Sequence, residues 1–452
     1  MTSTATTHSA NRRRVAAATI IGTTVEWYDF FIYANAVALV FNKQFFDPAG
    51  GTVGQMVAFA SVGLSFLFRP LGAFLAGHYG DKLGRRAMLV ITLLMMGAAT
   101  ALIGVLPTYA QIGVAAPVLL LLLRVLQGIS AGGEWGGAVL MAVEHSDAKK
   151  RGVAGSFPQL GVPLGMMLAS AVMALMTGVI SPGDAFDEWG WRVPFLLSIV
   201  LILVGYWVRR SVDESPVFQE IAESKQQTKA PVLVLFKKYW YLVVLGALVF
   251  VGNNAPGYMT TGGFIQKYAT GDAVGLGKTE VLLAVTFGSA CWFVTTLLAG
   301  VFADKIGRVR TYQIGFLCTG VFVFFLFPMV STGSLGLLYL SMGLFSIGLG
   351  LTYGPQAALY SEMFPASVRF SGVSISYAIG AILGGAFAPM IAQGILDATG
   401  STQGISIYLA IACVVSLVAV SLIRDRRGID LSIANEAEQE KGITVFDKVD
   451  AK

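Results

Sequence analysis

The chain reads GHYGDKLGR over residues 77–85 and GVFADKIGR over residues 300–308. Both stretches follow the pattern G-x-x-x-D-K-x-G-R, and each comes directly after a long apolar run. The glycines allow a tight turn and a close approach of two helices, while the aspartate ends the first helix. A patterned loop that occurs twice, at a similar distance into each part of the chain, predicts an internal duplication.

A second pair of stretches repeats in the same way. Glu144 precedes Arg151 by seven residues, and Glu362 precedes Arg369 by seven. Both repeats hold the same place in their halves, and a polar segment separates the halves. The predicted organisation is a tail (1–14), a six-helix bundle (15–209), a loop (210–238), a second six-helix bundle (239–428) and a mobile polar tail (429–452).

The composition predicts a membrane protein. Of the 452 residues, 55% are hydrophobic and only 13% are charged, whereas soluble domains are about one quarter charged. A helix that crosses the hydrocarbon core needs about 20 residues. We therefore predict an all-α membrane protein with twelve transmembrane helices in two pseudo-symmetric six-helix bundles. The predicted spans are 15–41, 53–77, 87–106, 114–143, 153–180, 193–209, 239–266, 279–302, 311–330, 335–362, 370–396 and 404–423.

The basic residues predict the orientation of these spans. Of the 31 Lys and Arg residues, 25 lie on the side of the termini, two (Arg69 and Arg124) lie within spans, and only four lie on the other side (Lys43, Arg192, Lys267 and Lys278). Loops rich in Lys and Arg stay in the cytoplasm. We expect a multi-pass protein of the inner (plasma) membrane with both termini cytoplasmic.

Several classes of protein lack support in the sequence. The chain has no Walker loop, so an ATP-driven pump is not expected. The spans contain no cluster of nucleophiles or metal ligands, and the three cysteines fit no metal or disulfide spacing. A channel would not need the duplicated loops. We expect neither an enzyme nor a metal site, no cofactor other than a coupling proton, no nucleic-acid partner, and a monomer that binds lipid and a small-molecule substrate.

The doubled loop resembles the signature of the major facilitator superfamily. Further stretches are similar to its metabolite:proton symporter family, over about residues 15–427. This resemblance implies the major facilitator fold and proton symport of a metabolite such as shikimate, 2-oxoglutarate, citrate, proline or glycine betaine. The stretches are GTTVEWYDFFIY (22–33), FRPLG (68–72), RVLQG (124–128), GGEWGG (132–137), WGWRVPF (189–195) and ESPVF (214–218).

The resemblance implies one cytoplasmic gate in each half. An aspartate at the end of a helix can pair with the N-terminus of a neighbouring helix or with an arginine across the bundle interface. The alternative is a basic loop that only sets topology. We also expect Arg69 to serve the gate or the structure, because its long side chain can extend toward the cytoplasmic end of its span. The gate residues are Gly77, Asp81, Arg85, Gly300, Asp304, Arg308 and Arg69.

Carboxyl groups within spans are candidates for proton coupling. Glu26, Asp29 and Tyr33 fall within one sector of about 60° on a helix. Carboxylates inside a membrane are expensive unless they face a cavity or a cation, and they are functional by default. The alternative is an acid held in place by an arginine or by backbone donors. Glu134 is the third candidate, although it can equally be a buried acid at a helix contact.

Arg124 is the predicted partner of a substrate carboxylate, because its planar fork can bind both oxygens. It can also neutralise Glu26 or Asp29. Gln127 shares its face of the helix, within a sector of about 80°. The second half offers neutral polar side chains near the predicted midplane, which suit hydroxyls but are also common as interhelical hydrogen bonds. The predicted substrate-binding residues are Arg124, Tyr33, Gln127, Gln159, Asn253, Asn254, Tyr353 and Gln356.

The sequence therefore favours a proton-coupled symporter that imports a small organic acid, such as shikimate or a related carboxylate, by alternating access. The alternative is a proton symporter for a zwitterionic osmolyte such as glycine betaine or proline. Such a cation needs an aromatic box, which Trp27, Tyr28 and Trp135 can supply. The tail lacks the apolar heptads of a coiled coil, which weakens the osmolyte interpretation.

Overall fold

The computed structural model describes residues 20–46, 51–83, 85–132, 134–144, 146–210 and 231–447, and nearly all of them are helical. Within these ranges, the side chains of residues 52, 76–83, 85–89, 134, 141, 208–210 and 231 are outside the description. The twelve long helices are α1 (20–46), α2 (Gly51–Leu83), α3 (Arg85–Val105), α4 (Ala115–Glu144), α5 (Ala148–Ile180), α6 (Arg192–Arg210), α7 (Trp240–Thr270), α8 (Lys278–Ile306), α9 (Arg308–Ser331), α10 (Leu335–Met363), α11 (Arg369–Thr399) and α12 (Gln403–Ser421).

The predicted fold class is confirmed. In the described part of the chain, ten helices are long and apolar enough to cross a membrane, and α3 contains a shorter apolar helix over Val90–Val105. The helix α1 covers most of the first predicted span and ends in a π-helical segment, Val37–Phe46. Observed and predicted boundaries agree within a few residues, because a membrane span is defined mainly by the length of its apolar run.

Glycines bring α2 and α4 into contact at the level of the candidate site. A Cβ atom on Gly128 would lie 2.2 Å from the carbonyl oxygen of Ser65, and one on Gly132 would lie 2.1 Å from that of Arg69. Only glycine allows two helix backbones to approach so closely within a membrane bundle. This contact places the side chain of Arg124 against the carbonyl groups of α2.

The two halves meet along two long helix pairs, α5 with α8 and α2 with α11. The α5–α8 pair closes tightly at one end, where Gly152 and Gly300 lie against each other and leave no room for a side chain. That end carries the GVFADKIGR loop, and we name it the motif end. The other end of the bundle is the opposite end.

The helix α10 is interrupted near its middle. A first segment ends at Tyr353, the chain turns at Gly354 and Pro355, and a second segment starts at Gln356. The sequence predicts this loosening, because proline cannot donate the backbone hydrogen bond that would continue the helix. The interruption places Tyr353 and Gln356 at the contact between the halves.

The C-terminal tail is folded, and the prediction of a mobile tail is wrong for residues up to 447. After α12, the backbone N–H of Arg424 donates to the carbonyl of Ile443 (2.9 Å), and the N–H of Val445 donates to that of Leu422 (3.0 Å). A short 3₁₀ turn (Ile433–Asn435) and a helical turn (Glu436–Gln439) lie between these bonds. Polarity alone predicted mobility, but this segment finds hydrogen-bond partners on the motif end.

Candidate functional site

Arg124 is held by α2 and, in the part of the chain that the structure describes, not by a carboxylate. Its side chain is buried, and its Nε atom donates to the carbonyl of Ser61 (3.2 Å). The Nη2 atom donates to the carbonyl of Val62 (2.8 Å) and to the Ser65 hydroxyl (2.9 Å), and Nη1 donates to Oε1 of Gln127 (2.7 Å). A buried charge must be compensated by hydrogen bonds. The acceptors of α2 and Gln127 therefore occupy most of the guanidinium donors.

Two rings of α1 cover the face of this guanidinium. The Cζ atom of Arg124 lies 3.9 Å from the ring centroid of Tyr33 and 5.3 Å from that of Phe30. The Tyr33 hydroxyl is hydrogen-bonded to that of Ser61 (2.6 Å). A desolvated cation–π contact is worth about 2 kcal/mol. Tyr33 therefore contributes to holding Arg124 within the first half.

Asp29 is buried inside the first bundle and is linked to Arg124 through intermediates. The Ser198 hydroxyl of α6 donates to Oδ1 of Asp29 (2.6 Å), and the Thr100 hydroxyl of α3, which donates to the carbonyl of Met96 (3.0 Å), lies near this carboxyl. Nε2 of Gln127 donates to the Thr100 hydroxyl (2.8 Å). A chain of polar groups thus leads from Arg124 through Gln127 and Thr100 to Asp29.

The described ion pairs do not include the predicted direct pair between Arg124 and either carboxylate of α1. Glu26 is buried and lies near Tyr353 and Tyr377 of the second half. The two carboxyl groups therefore face different surroundings. Asp29 lies within the first bundle, whereas Glu26 lies toward the contact between the halves.

Arg69 does not extend to the motif end, which corrects its assignment to the gate. Its Cζ atom lies 4.3 Å from the ring centroid of Phe66 and 5.2 Å from that of Trp27. The helix rise places Arg69 about 21 Å before Leu83, the last residue of α2. Helical side chains lean toward the N-terminus of their helix, and α2 begins at the opposite end. Arg69 is therefore buried near the middle of the bundle.

A polar and aromatic contact joins the halves near the interruption of α10. Nε1 of Trp135 donates to Oε1 of Gln159 (2.8 Å), and Nε2 of Gln159 donates to Oε1 of Gln356 (3.0 Å) and to the carbonyl of Tyr353 (3.3 Å). The ring of Trp135 stacks on that of Tyr377 with 3.8 Å between centroids. Of the predicted substrate-binding residues, Gln159, Tyr353 and Gln356 are brought together here.

Two predicted residues in α7 are placed differently. Nδ2 of Asn253 donates to the Thr352 hydroxyl (2.7 Å) and to the carbonyl of Leu349 (3.2 Å), so its amide joins α7 to α10 within the second half. Asn254 is buried against Gly384 and Gly385 of α11. The structure thus gives Asn253 an interhelical hydrogen bond, which was the alternative considered from the sequence.

The motif end is closed by the predicted gate of the second half. The carboxylate of Asp304 accepts hydrogen bonds from the backbone N–H groups of Gly152 (2.8 Å) and Val153 (3.0 Å), at the start of a helical segment of the first half. Arg308 pairs with Asp304 (2.8 Å) and with Glu362 (3.2 Å). In the first half, the side chains of the predicted gate residues Asp81 and Arg85 lie outside the description, as do Gly77 and the candidate Glu134.

Two further arginines of this end bind both the opposite half and the tail. Arg151 lies 3.7 Å from Glu362, and Arg369 lies 3.0 Å from Glu144. Arg151 also donates to the carbonyl of Ile429 (2.6 Å). The other tail acceptors of this network are the carbonyl of Leu431 (2.9 Å) and Oε1 of Gln439 (2.8 Å), both bound by Arg369.

The opposite end is closed as well. Lys278 of the second half pairs with Asp187 of the first (2.7 Å), and the hydroxyls of Thr177 and Thr279 lie 2.8 Å apart. The described residues thus join the two halves at both ends, with Arg69, Glu26 and the Gln159–Gln356 contact between them. We refer to this arrangement, with contacts between the halves at both ends, as occluded.

Sequence reasoning missed the hydroxyl groups that complete the site. The hydroxyls of Ser65 and Ser198 bind Arg124 and Asp29, and those of Ser61 and Thr100 bind Tyr33 and Gln127. Serine and threonine are frequent in membrane helices and mostly bond to their own backbone. Their type and spacing therefore gave no signal that would have selected these four.

Comparisons with known proteins agree with this architecture. The sequence profile of the Major Facilitator Superfamily matches residues 19–376 and 254–446. An inner membrane metabolite transport protein of Escherichia coli K12 is 39% identical, with 92% of this chain and 95% of the relative covered. The shikimate transporter of the same organism is 36% identical, with 91% and 94% covered. A putative proline/betaine transporter of Staphylococcus aureus MSSA476 is 32% identical, with 91% and 88% covered.

Among solved structures, the crystal structure of a D-xylose-proton symporter is similar in fold. The TM-score is 0.72 at 18% sequence identity, and the match covers 92% of this chain and 99% of that structure. At this identity the likeness concerns the fold alone. The family and these relatives are membrane transporters and not enzymes. This confirms the predictions of a transporter of the major facilitator superfamily and of a protein that is not an enzyme.

Proposed function

Because this chain belongs to the major facilitator superfamily, we propose that it is a proton-coupled symporter that imports a small organic acid by alternating access. The motif end faces the cytoplasm in this proposal, as the distribution of Lys and Arg predicts. The two halves rock about a site near the midplane and open one end at a time. The substrate-facing residues in this proposal are Gln159, Tyr353 and Gln356, at the contact between the halves.

The observation that carries the proton-coupling part is the position of Asp29. A buried carboxyl without a cation beside it is stable when protonated or when hydroxyls donate to it. The Ser198 hydroxyl donates to Asp29, and the Thr100 hydroxyl lies near it. Loss or gain of the Asp29 proton changes the charge at one end of the row of polar groups, and Arg124 stands at its other end. Protonation can therefore alter how firmly Gln127 holds Arg124.

Coupling requires that the proton and the substrate favour the same change of state. This scheme gives no contact with the substrate to Arg124, Gln127 and Tyr33. Their side chains hold α1, α2 and α4 together. Glu26, which lies toward the second half, is the carboxyl that senses whether the site is occupied. Glu134 is a third candidate for proton coupling.

A relative described as a shikimate transporter and a buried arginine near the contact favour an organic acid. The second candidate is a zwitterion such as proline or glycine betaine. The stacked rings of Trp135 and Tyr377 favour it, because aromatic faces bind quaternary cations, and a relative is described as a putative proline/betaine transporter.

Purified protein in liposomes tests the proposal. We expect a proton gradient, acidic outside, to drive accumulation of radiolabelled shikimate or another organic acid, and a protonophore to abolish it. Accumulation of glycine betaine alone would favour the second candidate. Transport that follows the substrate gradient and ignores the proton gradient would contradict proton coupling.

A further inference from the structure

Arg69 is a buried cation for which no hydrogen bond to another described residue is found, unlike Arg124 and Arg308. Its residue is only 7% exposed, and its Nε atom has no hydrogen-bond partner among the described residues. The ion pairs formed by described residues do not include Arg69. In contrast, Arg124 and Arg308 each donate to four acceptor atoms.

The contacts of Arg69 hold its charge but leave its Nε–H without an acceptor among the described residues. The rings of Trp27 and Phe66 lie against the guanidinium, with centroids 5.2 and 4.3 Å from Cζ. Aromatic contacts of this kind stabilise a desolvated cation without accepting its N–H groups in the manner of a carboxylate. The planar edge of a guanidinium matches the two oxygens of a carboxylate.

A second unpartnered donor comes from the other half. Tyr258 in α7 is buried, and its hydroxyl has no partner among the described residues. Its ring lies 5.5 Å from that of Phe66, the ring that also contacts Arg69. The charge of Arg69 acts on the Tyr258 hydroxyl. Two donors from opposite halves thus share one aromatic neighbour, and a buried donor without an acceptor is unfavourable.

We propose that Arg69 and Tyr258 together bind the carboxylate of the substrate and that Arg124 does not. The carboxylate accepts from the free edge of Arg69 in the first half and from the Tyr258 hydroxyl in the second. It thereby bridges the halves and stabilises the occluded state. One available guanidinium selects a monocarboxylate, and Trp27, Phe66 and Tyr258 provide rings for the apolar part of the ligand.

This proposal rests on the proposed function, since it assumes an organic acid as substrate. The test measures binding of shikimate and of its uncharged methyl ester to the purified protein. The variants are R69Q, which removes the charge, Y258F, which removes only the hydroxyl, and R124Q as the matched control. We expect R69Q to weaken binding of the acid by about tenfold or more, the size of a lost hydrogen bond to a charged group.

The methyl ester separates recognition from a structural effect. R69Q should bind the acid and the ester about equally, and Y258F should weaken the acid more than the ester. R124Q should affect both ligands to the same degree, because Arg124 supports the helices. The inference is overturned if R69Q and Y258F retain the preference of the wild type for the acid, or if R124Q alone abolishes it. If wild-type protein binds no monocarboxylate at all, the organic-acid function itself fails, and the assignment of these donors fails with it.

Discussion

Arg369 of the second half forms an ion pair with Glu144 of the first, with 3.0 Å between Nη1 and Oε1. The reciprocal pair joins Arg151 of the first half to Glu362 of the second (3.7 Å). Each half thus supplies the acid for the arginine of the other. The repeated spacing in the sequence is explained by this exchange, and both pairs must break when the motif end opens.

Substitution of Asp304 should open the motif end. Asp304→Asn removes the charge that pairs with Arg308 and weakens the acceptor for two backbone N–H groups at a helix N-terminus. The measurement is thiol labelling of a cysteine at Ser156, which is buried beside Gly300, in a background without the native cysteines. We expect faster labelling from the motif side.

The control for this experiment is Asp397→Asn. Asp397 lies near the exposed end of α11, where its carboxylate accepts a hydrogen bond from the side chain of Gln393. This variant should label at the rate of the parent protein. Equal rates for Asp304→Asn and the parent would show that the Asp304 contact does not hold the motif end closed.

The exchange of acids between the halves predicts a rescue by charge reversal. Glu144→Arg should place two cations side by side and lower the midpoint of thermal unfolding by a few degrees, since a partly buried pair is worth about 1 kcal/mol. Adding Arg369→Glu should restore part of this loss. The restoration should be incomplete, because Arg369 also donates to Leu431 and Gln439. The pairing would be contradicted if the double variant lost as much stability as the two single variants lose together, or more.

The folded tail predicts an effect of truncation. A chain that ends at residue 428 loses the acceptors that Ile429, Leu431 and Gln439 offer to two buried arginines. We expect lower thermal stability and faster labelling of the cysteine at Ser156. A chain that ends at residue 447 is the control and should behave as the full chain does. If both truncated chains are indistinguishable from it, the tail does not support the closed end.

The docking of the tail should weaken at acid pH. The hydrogen bond from Lys238 holds the pKa of Glu440 below its usual range, and Tyr239 donates to the same carboxylate. A carboxyl whose pKa is lowered by docking favours the docked state above its free pKa, and this contribution is lost as pH falls through the lowered pKa. A spin label at Val445→Cys should therefore gain mobility as pH falls below about 4.

Lys238→Gln supplies the matched comparison for the pH experiment. Without the cation, the pKa of Glu440 should move toward its ordinary value, and the label should be released at a higher pH than in the parent. If the label is released at the same midpoint pH in both proteins, the pair of Lys238 and Glu440 does not hold the tail in place.

The fold could be read largely from the sequence, because span length and the duplicated loop are local patterns. The Asp304 contact was foreseen for the same reason, since the motif places an aspartate at a helix end. The direction of a side chain in the bundle is not local. Arg69 was expected to serve the gate or the structure, and the rings of Trp27 and Phe66 hold it near the middle of the bundle.

The hydrogen-bond partners of the buried charged side chains could not be predicted from the sequence either. Arg124 and Asp29 were expected to meet or to face the substrate, and both are instead satisfied within the first bundle. Their acceptors and donors are two carbonyl groups of α2 and a few hydroxyls, which every membrane helix contains. The tail was misjudged for a similar reason, because its partners are two arginines more than fifty residues away in sequence.

The most direct test of the central claim compares transport modes in Asp29→Asn. The amide keeps the size of the side chain and cannot bind or release a proton near neutral pH. In proteoliposomes, the variant should still exchange labelled for unlabelled shikimate across the membrane but should fail to accumulate it when a proton gradient is imposed. Accumulation by Asp29→Asn at the wild-type level under the same gradient would contradict the role of Asp29 in coupling.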